Sequence, residues 1–136
     1  MRADIVTFYL LNNTTAIKDE LSGIYPFVVP DAVSVASGTF ATYTVVRTDA
    51  ITTKTSHNTY DRAMVQISLF GSDLNAVNNV ADIIRIELDR YSGTVTVGGV
   101  DYIVDLIQFE NREDLGFVEA ERVFMVAMDF RLSLVL

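Results

Sequence analysis

The sequence predicts an α+β domain, with a mostly antiparallel β-sheet, helices packed on one face and long β-hairpin arms. Three observations carry that expectation. Residues 60–70 alternate, with Val65, Ile67 and Leu69 on one side and Met64, Gln66, Ser68 and Phe70 on the other, the pattern of a half-buried antiparallel strand. Beyond Gly71, the residues Leu74, Val77, Val80, Ala81, Ile84 and Leu88 recur at helical spacing and form one apolar stripe. Gly98-Gly99 separates two alternating segments, which is a strong two-residue hairpin signal.

Taken in order, residues 3–12 read as a first helix with Ile5, Val6, Tyr9 and Leu10 as its apolar stripe. Asn12-Asn13 interrupts it. Thr14 or Thr15 can cap a short second turn through Leu21, and Ser22-Gly23 is expected to close that turn as a C-cap. Ile24-Tyr25-Pro26 is extended, because the proline restricts the residue before it. Residues 27–40 contain Pro30 and a small-residue stretch at 34–38; a connection of this length reads as a binding loop or arm. The β-rich run Tyr43-Thr44-Val45-Val46-Arg47 is the expected first core strand, within 42–48. The polar residues 48–59, with Asp49, Lys54 and His57, are expected to form a long hairpin tip leading into the strand at 60–70.

Ser72 or Asp73 can cap the amphipathic helix, and Ser92-Gly93 is its expected stop. The hairpin strands cover 94–97 and 100–104, the second continuing through Ile107 and Phe109, with a bulge near Asp105-Leu106 where the alternation shifts phase. Residues 111–117 are expected as a charged turn containing Gly116. In the last strand Phe124, Val126, Met128, Phe130, Leu132, Leu134 and Leu136 occupy every second position. That strand is far longer than the usual 5–6 residues. Its apolar face needs cover, from the domain's own helices or from a neighbouring subunit.

The chain of 136 residues is half hydrophobic, enough for one domain over 1–136. It holds no apolar run of the roughly 18 residues a membrane span requires, and its first residues show no apolar leader segment. Cysteine is absent, which excludes disulfides and thiolate metal sites. Net charge is −8, from 10 basic and 18 acidic residues. Binding to duplex DNA draws on Lys and Arg against phosphate, and no local basic patch is visible in the order of residues. Asp101, Asp105, Glu110, Glu113, Asp114, Glu119 and Glu121 concentrate the acidity late in the chain; they form either a solvated face or a surface that steers a partner.

Catalytic signals are sparse. His57 is the single histidine, no thiol nucleophile exists, and neither a Gly-x-Ser-x-Gly elbow nor a Gly-rich phosphate loop occurs. The late carboxylates are the remaining candidates for acid–base chemistry or a hard cation, but they lack the dense glycine-bearing loop of a helix–loop–helix calcium site. The expectation is therefore a chain that is not an enzyme, with no catalytic, cofactor or metal site. A carboxylate enzyme and a small ligand-binding module are the competing classes.

The order of elements resembles the tail-completion (tail terminator) proteins of phages. The resemblance runs through the N-terminal stripe, Ile24-Tyr25-Pro26, Tyr43-Thr44-Val45-Val46, the unit from Arg62 through Gly71 into the helix, and the closing strand with Asp129-Phe130-Arg131. It implies a structural virion protein made in the host bacterial cytoplasm and placed at the head–tail junction. Such subunits form a hexameric ring that caps the tail tube and joins it to the head. The implied partners are further copies of the chain in a homohexamer, the tail tube protein and a head-completion or neck protein. DNA passes through the lumen without specific binding, and no membrane is involved. A neighbouring head-completion or neck connector is the alternative within this class. Contacts with subunits or partners are expected at Phe27, Val29, Val33, Lys54, His57, Arg112, Glu113, Asp114, Leu134 and Leu136.

Overall fold

A computed structural model describes residues 2–30, 37–53 and 56–135, with side chains throughout except at 51–53 and 56–59. The elements are α1 (Ala3–Asn13), α2 (Thr15–Lys18), β1 (Gly23–Pro26), β2 (Thr39–Thr53), β3 (Ser56–Gly71), α3 (Leu74–Leu88), β4 (Gly93–Val97), β5 (Val100–Val118) and β6 (Val123–Val135). The six strands make one sheet in the order β1-β2-β3-β6-β5-β4. Among the described residues β1–β2 pairs in parallel and the other pairings are antiparallel. The mixed α+β class agrees with the sequence expectation.

The long last strand finds its cover inside the domain. β6 lies between β3 and β5, with Val65 opposite Phe130, Ile67 opposite Met128 and Leu69 opposite Val126. All six side chains are buried on the inner face, together with Val77, Val80, Ala81, Ile84 and Leu88 of α3. Burying such a side chain stabilises the fold by about 1.5–3 kcal/mol, so the β3–β6–α3 contact forms the main core. Phe109 packs edge-on against Phe130, 5.7 Å between centroids, and the Arg85 guanidinium covers its outer side at 4.1 Å. α1 lies on the same face, against β2, β3 and β4.

Local rules explain the joints. Asp73 caps α3, accepting from the N–H groups of Asn75 and Ala76 at 3.0 and 3.4 Å. Gly71 allows the strand to meet the helix, because a Cβ there would sit 2.8 Å from Val77 Cγ2 and 3.3 Å from the Gly38 carbonyl. Gly98 and Gly99 take φ values of 59° and 78°, the paired left-handed conformations of a type I′ turn between Val97 and Val100. The register shift between Val104 and Leu106 is the expected bulge.

Several boundaries differ from the sequence expectation. Residues 111–117 are strand, not turn: β5 continues to Val118 with Glu113 opposite Ala127. Pairing with β6 overrides the local charge. Gly116, at φ 76°, marks a bulge, and the chain reverses through residues 119–122, where Arg122 has φ 56°. The polar segment at 48–59 is likewise mostly strand, since β2 reaches Thr53 and β3 starts at Ser56. Its threonines suit a pleated ribbon. α3 stops at Leu88, before Ser92-Gly93, because Asp89 is extended and Arg90 takes φ 67°. The Asp89 carboxylate then accepts from the Phe109 N–H at 2.9 Å and ties the helix end to β5. Leu74, expected in the stripe, is exposed in the first turn of α3.

In α1 the buried set is Ala3, Val6, Thr7, Leu10 and Leu11, while Ile5 and Tyr9 lie on its flank. Thr7 tolerates burial because its hydroxyl donates to the Ala3 carbonyl at 2.8 Å. Thr14 holds the cap position of α2, but its side chain makes no capping bond. Ser22-Gly23 is not a C-cap. Gly23 opens β1, and the Ser22 N–H donates to the Thr39 carbonyl at 2.7 Å.

Candidate assembly surfaces

Three surface regions stand out. The first is a corner where β1 ends. The Val28 N–H donates to the Pro26 carbonyl at 2.7 Å across Phe27, and Phe27 is held at φ 63°. A left-handed aromatic residue costs roughly 1–2 kcal/mol. Phe27 and Val28 are nonetheless 70% and 71% exposed. Beside them is a concavity of about 280 Å³ bounded by Arg2, Asp4, Phe27, Tyr43 and Thr48. It adjoins an apolar one of about 400 Å³ along α1, bounded by Ile5, Phe8, Tyr9 and Val97. Arg2 donates to both Asp4 oxygens, at 3.0 and 2.6 Å. Those hydrogen bonds hold the Asp4 carboxyl below its ordinary value. Partial burial, and secondarily the Asp4 charge, push the Tyr43 phenol up.

The second region lies on the outer face of the sheet, opposite the helices. Register places Arg47 opposite Met64, Met64 opposite Arg131, and Asp49 opposite Arg62. Arg47, Arg62 and Arg131, from three adjacent strands, therefore gather round a shallow polar concavity of about 190 Å³. Arg47 pairs with Asp49 at 3.0 Å and Arg131 with Glu110 at 3.2 Å. This cluster corrects the sequence reading that no local basic patch exists. The three residues are remote in sequence, and only strand order brings them together.

The third region is the far half of β5. Arg112 turns inward over α3, donating to Asp82 at 3.0 Å, to Asn78 at 2.8 Å and to its strand neighbour Asp114 at 3.0 Å. Glu113 points to the outer face beside Ala127 and is exposed. Leu115 and Phe117 are exposed nearby.

The expected contact residues thus separate. Phe27 and Glu113 are exposed, Val29 is half-buried and Asp114 is exposed beside Arg112. Arg112 is largely committed to α3. Leu134 is corrected: it is 0% exposed, at the centre of the inner face. The alternation at the end of β6 marks core, and gave no sign of which partner covers it. His57 lies in the arm portion of β3. Val33, Lys54 and Leu136 lie outside the described residues, as does most of the small-residue stretch at 34–38. The residues that sequence reasoning missed are Arg47, Arg62 and Arg131; their alternation with apolar positions on β-rich runs was the available signal.

The late carboxylates do not converge. Asp101 accepts from the Thr96 hydroxyl at 2.6 Å on the β4–β5 hairpin, whereas Glu110 is engaged by Arg131. The three concavities described above are lined by other residues. Among the described residues no group of three His, Asp or Glu side chains is placed to hold a metal ion, and no helix is long and apolar enough to cross a membrane.

No family model matches the chain, and no curated protein does. Among solved structures, it is similar to a chain of the virion of the native gene transfer agent (GTA) particle. The two share 16% identity and a TM-score of 0.64 over 99% of this chain and 88% of that one. At that identity the likeness establishes a shared fold.

Proposed function

We propose that this chain is a structural virion protein of the tailed-phage type, a subunit of a ring at the head–tail junction. The observation that carries the reading is the correspondence, over nearly the full length of both chains, with a component of a gene transfer agent virion. The finer role is a hexameric ring that caps the tail tube and offers a docking surface to the neck. It is supported by the resemblance in element order and by the arm formed from β2 and β3, which holds out backbone beyond the core. The tail tube protein and a head-completion protein are the partners on this reading, and no enzymatic step is required of the chain. Its net charge of −8 suits a channel that DNA slides through, because a negative lumen repels phosphate.

Labelling the chain in purified particles and locating the label by electron microscopy tests the assignment. The expected position is the tube end facing the head. A label on the neck alone would assign the chain to a connector instead, and its absence from particles would end the virion reading.

A further inference from the structure

Among the described residues the sheet carries two unpaired edges, and they are diagonal to one another. β1 covers β2 only over residues 40–43, with one further bond from the Phe27 N–H to the Tyr43 carbonyl. Among the described residues nothing pairs the outer edge of β2 over 44–53. β4 covers β5 only over 100–104. The backbone of Arg90 and Tyr91 then meets Ile107, and the Asp89 carboxylate meets Phe109. Beyond that, among the described residues, the β5 edge is free over 110–118. Each free edge spans roughly 30 Å, and unpaired edges of this length are templates for another strand.

We propose that the free edge of β2 in one copy pairs with the free β5 edge of the next copy, joining successive sheets in a ring. This rests on the ring reading above and names its contact. Direction is compatible: β2, β3, β6 and β5 alternate in sense, so β5 of a neighbour in the same orientation arrives antiparallel to β2. Facing is compatible too. Arg47 on β2 and Glu113 on β5 both lie on the outer face, so joining the sheets places them on one surface.

Charge decides the pairing. The β5 edge carries Glu110, Glu113 and Asp114 against Arg112, plus register shifts at Phe109/Asn111 and Asp114/Gly116. Such bulges and charges discourage casual strand addition. Two β5 edges repel each other, while the β2 edge has the arginine cluster beside it. Like meets unlike, which is the heterologous contact a closed ring requires. The offset between the two edges is taken up by strand tilt, as in closed barrels. Asp49 and Glu110 already pair with two of the three arginines, which leaves too little free positive charge for duplex DNA. Strand addition instead takes its affinity from main-chain hydrogen bonds and needs charge only to select the edge.

The chain has no cysteine, so introduced thiols report contacts cleanly. Val46 and Leu115 are exposed, one on each free edge. The double variant Val46→Cys/Leu115→Cys, treated with a short bismaleimide after assembly on tube ends, should give a ladder of covalent multimers. Each single variant should remain monomeric. Arg47→Glu should weaken assembly by about five- to tenfold and Glu113→Arg should restore it. Covalent dimers from a single variant would overturn the proposal in favour of a two-fold contact. Rings visible by microscopy without a ladder would overturn the edge pairing and leave the ring standing. Neither rings nor ladder would remove both. An unchanged ladder in Arg47→Glu, with loss of DNA retention, would reassign the arginines to phosphate.

Discussion

Replacing Phe27 separates the cost of its backbone from the use of its ring. The residue is held at φ 63° with its side chain 70% exposed. The remaining third of the ring corresponds to roughly 60 Å² of contact, worth about 1–1.5 kcal/mol. Phe27→Ala keeps the strain, loses that contact, and should cost about 1 kcal/mol. Phe27→Gly also removes the Cβ that penalises a left-handed backbone, a relief of about 1–2 kcal/mol. Added freedom in the unfolded chain returns about 0.4–1 kcal/mol of that gain. The glycine variant should therefore be about 0.5–1 kcal/mol more stable than the alanine variant and close to the parent. At roughly 0.3 kcal/mol per degree for a chain of this size, that is a difference in Tm of about 2–3 °C. Urea titration and thermal melts measure it, and capping of tube ends tests the proposed role. Both variants should cap poorly if the ring is a contact. A glycine variant no more stable than alanine would refute the strain argument, and normal capping by both would remove Phe27 from the interface.

Three further outcomes follow from the core and its joints. Asp73→Ala removes the acceptor for two N–H groups of α3 and should lower stability by about 1 kcal/mol, read from denaturant midpoints. Leu134→Ala should cost about 3 kcal/mol by the same measurement, because the residue is wholly buried. Asp4 titrates below its ordinary value when folded, chiefly through its hydrogen bonds from Arg2. Its stabilisation is thus present above the ordinary carboxylate range and lost as pH falls through the folded value. Asp4→Asn should flatten that part of the acid limb by a fraction of a kcal/mol, since the pair is solvent-screened; an unchanged limb would discount the pair.

The legible parts of the fold were those decided within one element or one turn. Val65, Ile67 and Leu69 reveal their face by alternation alone, and the Gly98-Gly99 turn follows from backbone freedom. Misreadings arose where pairing with a distant strand overrode local composition. Residues 111–117 look like a turn because they are charged, yet β6 supplies a partner for each of Asn111, Arg112, Glu113 and Asp114. Leu134 illustrates the same limit in reverse. Its alternation is correct, but only the sheet order shows that β6 is interior and the face already covered. The arginine cluster was invisible for a related reason: Arg47 and Arg131 become neighbours only through β3.

The distribution of these features gives the subunit a direction. Its deepest packing lies where α3 crosses β3 and β6, and the strained Phe27 turn lies outside that region, next to β2. A perturbation there changes a surface while leaving the main core intact, which suits a residue selected for contact. The three arginines of the outer face sit on β2, β3 and β6, whereas Glu113 lies on the same face of β5. Acidic residues are in excess on β5, while Arg47 and Asp49 balance on β2, so the two edges differ in charge. A subunit with both signs evenly mixed would gain little from one neighbour over another. One polarised across its sheet favours its own head-to-tail repetition, and the interior β6 strand carries no exposed apolar edge to compete with it.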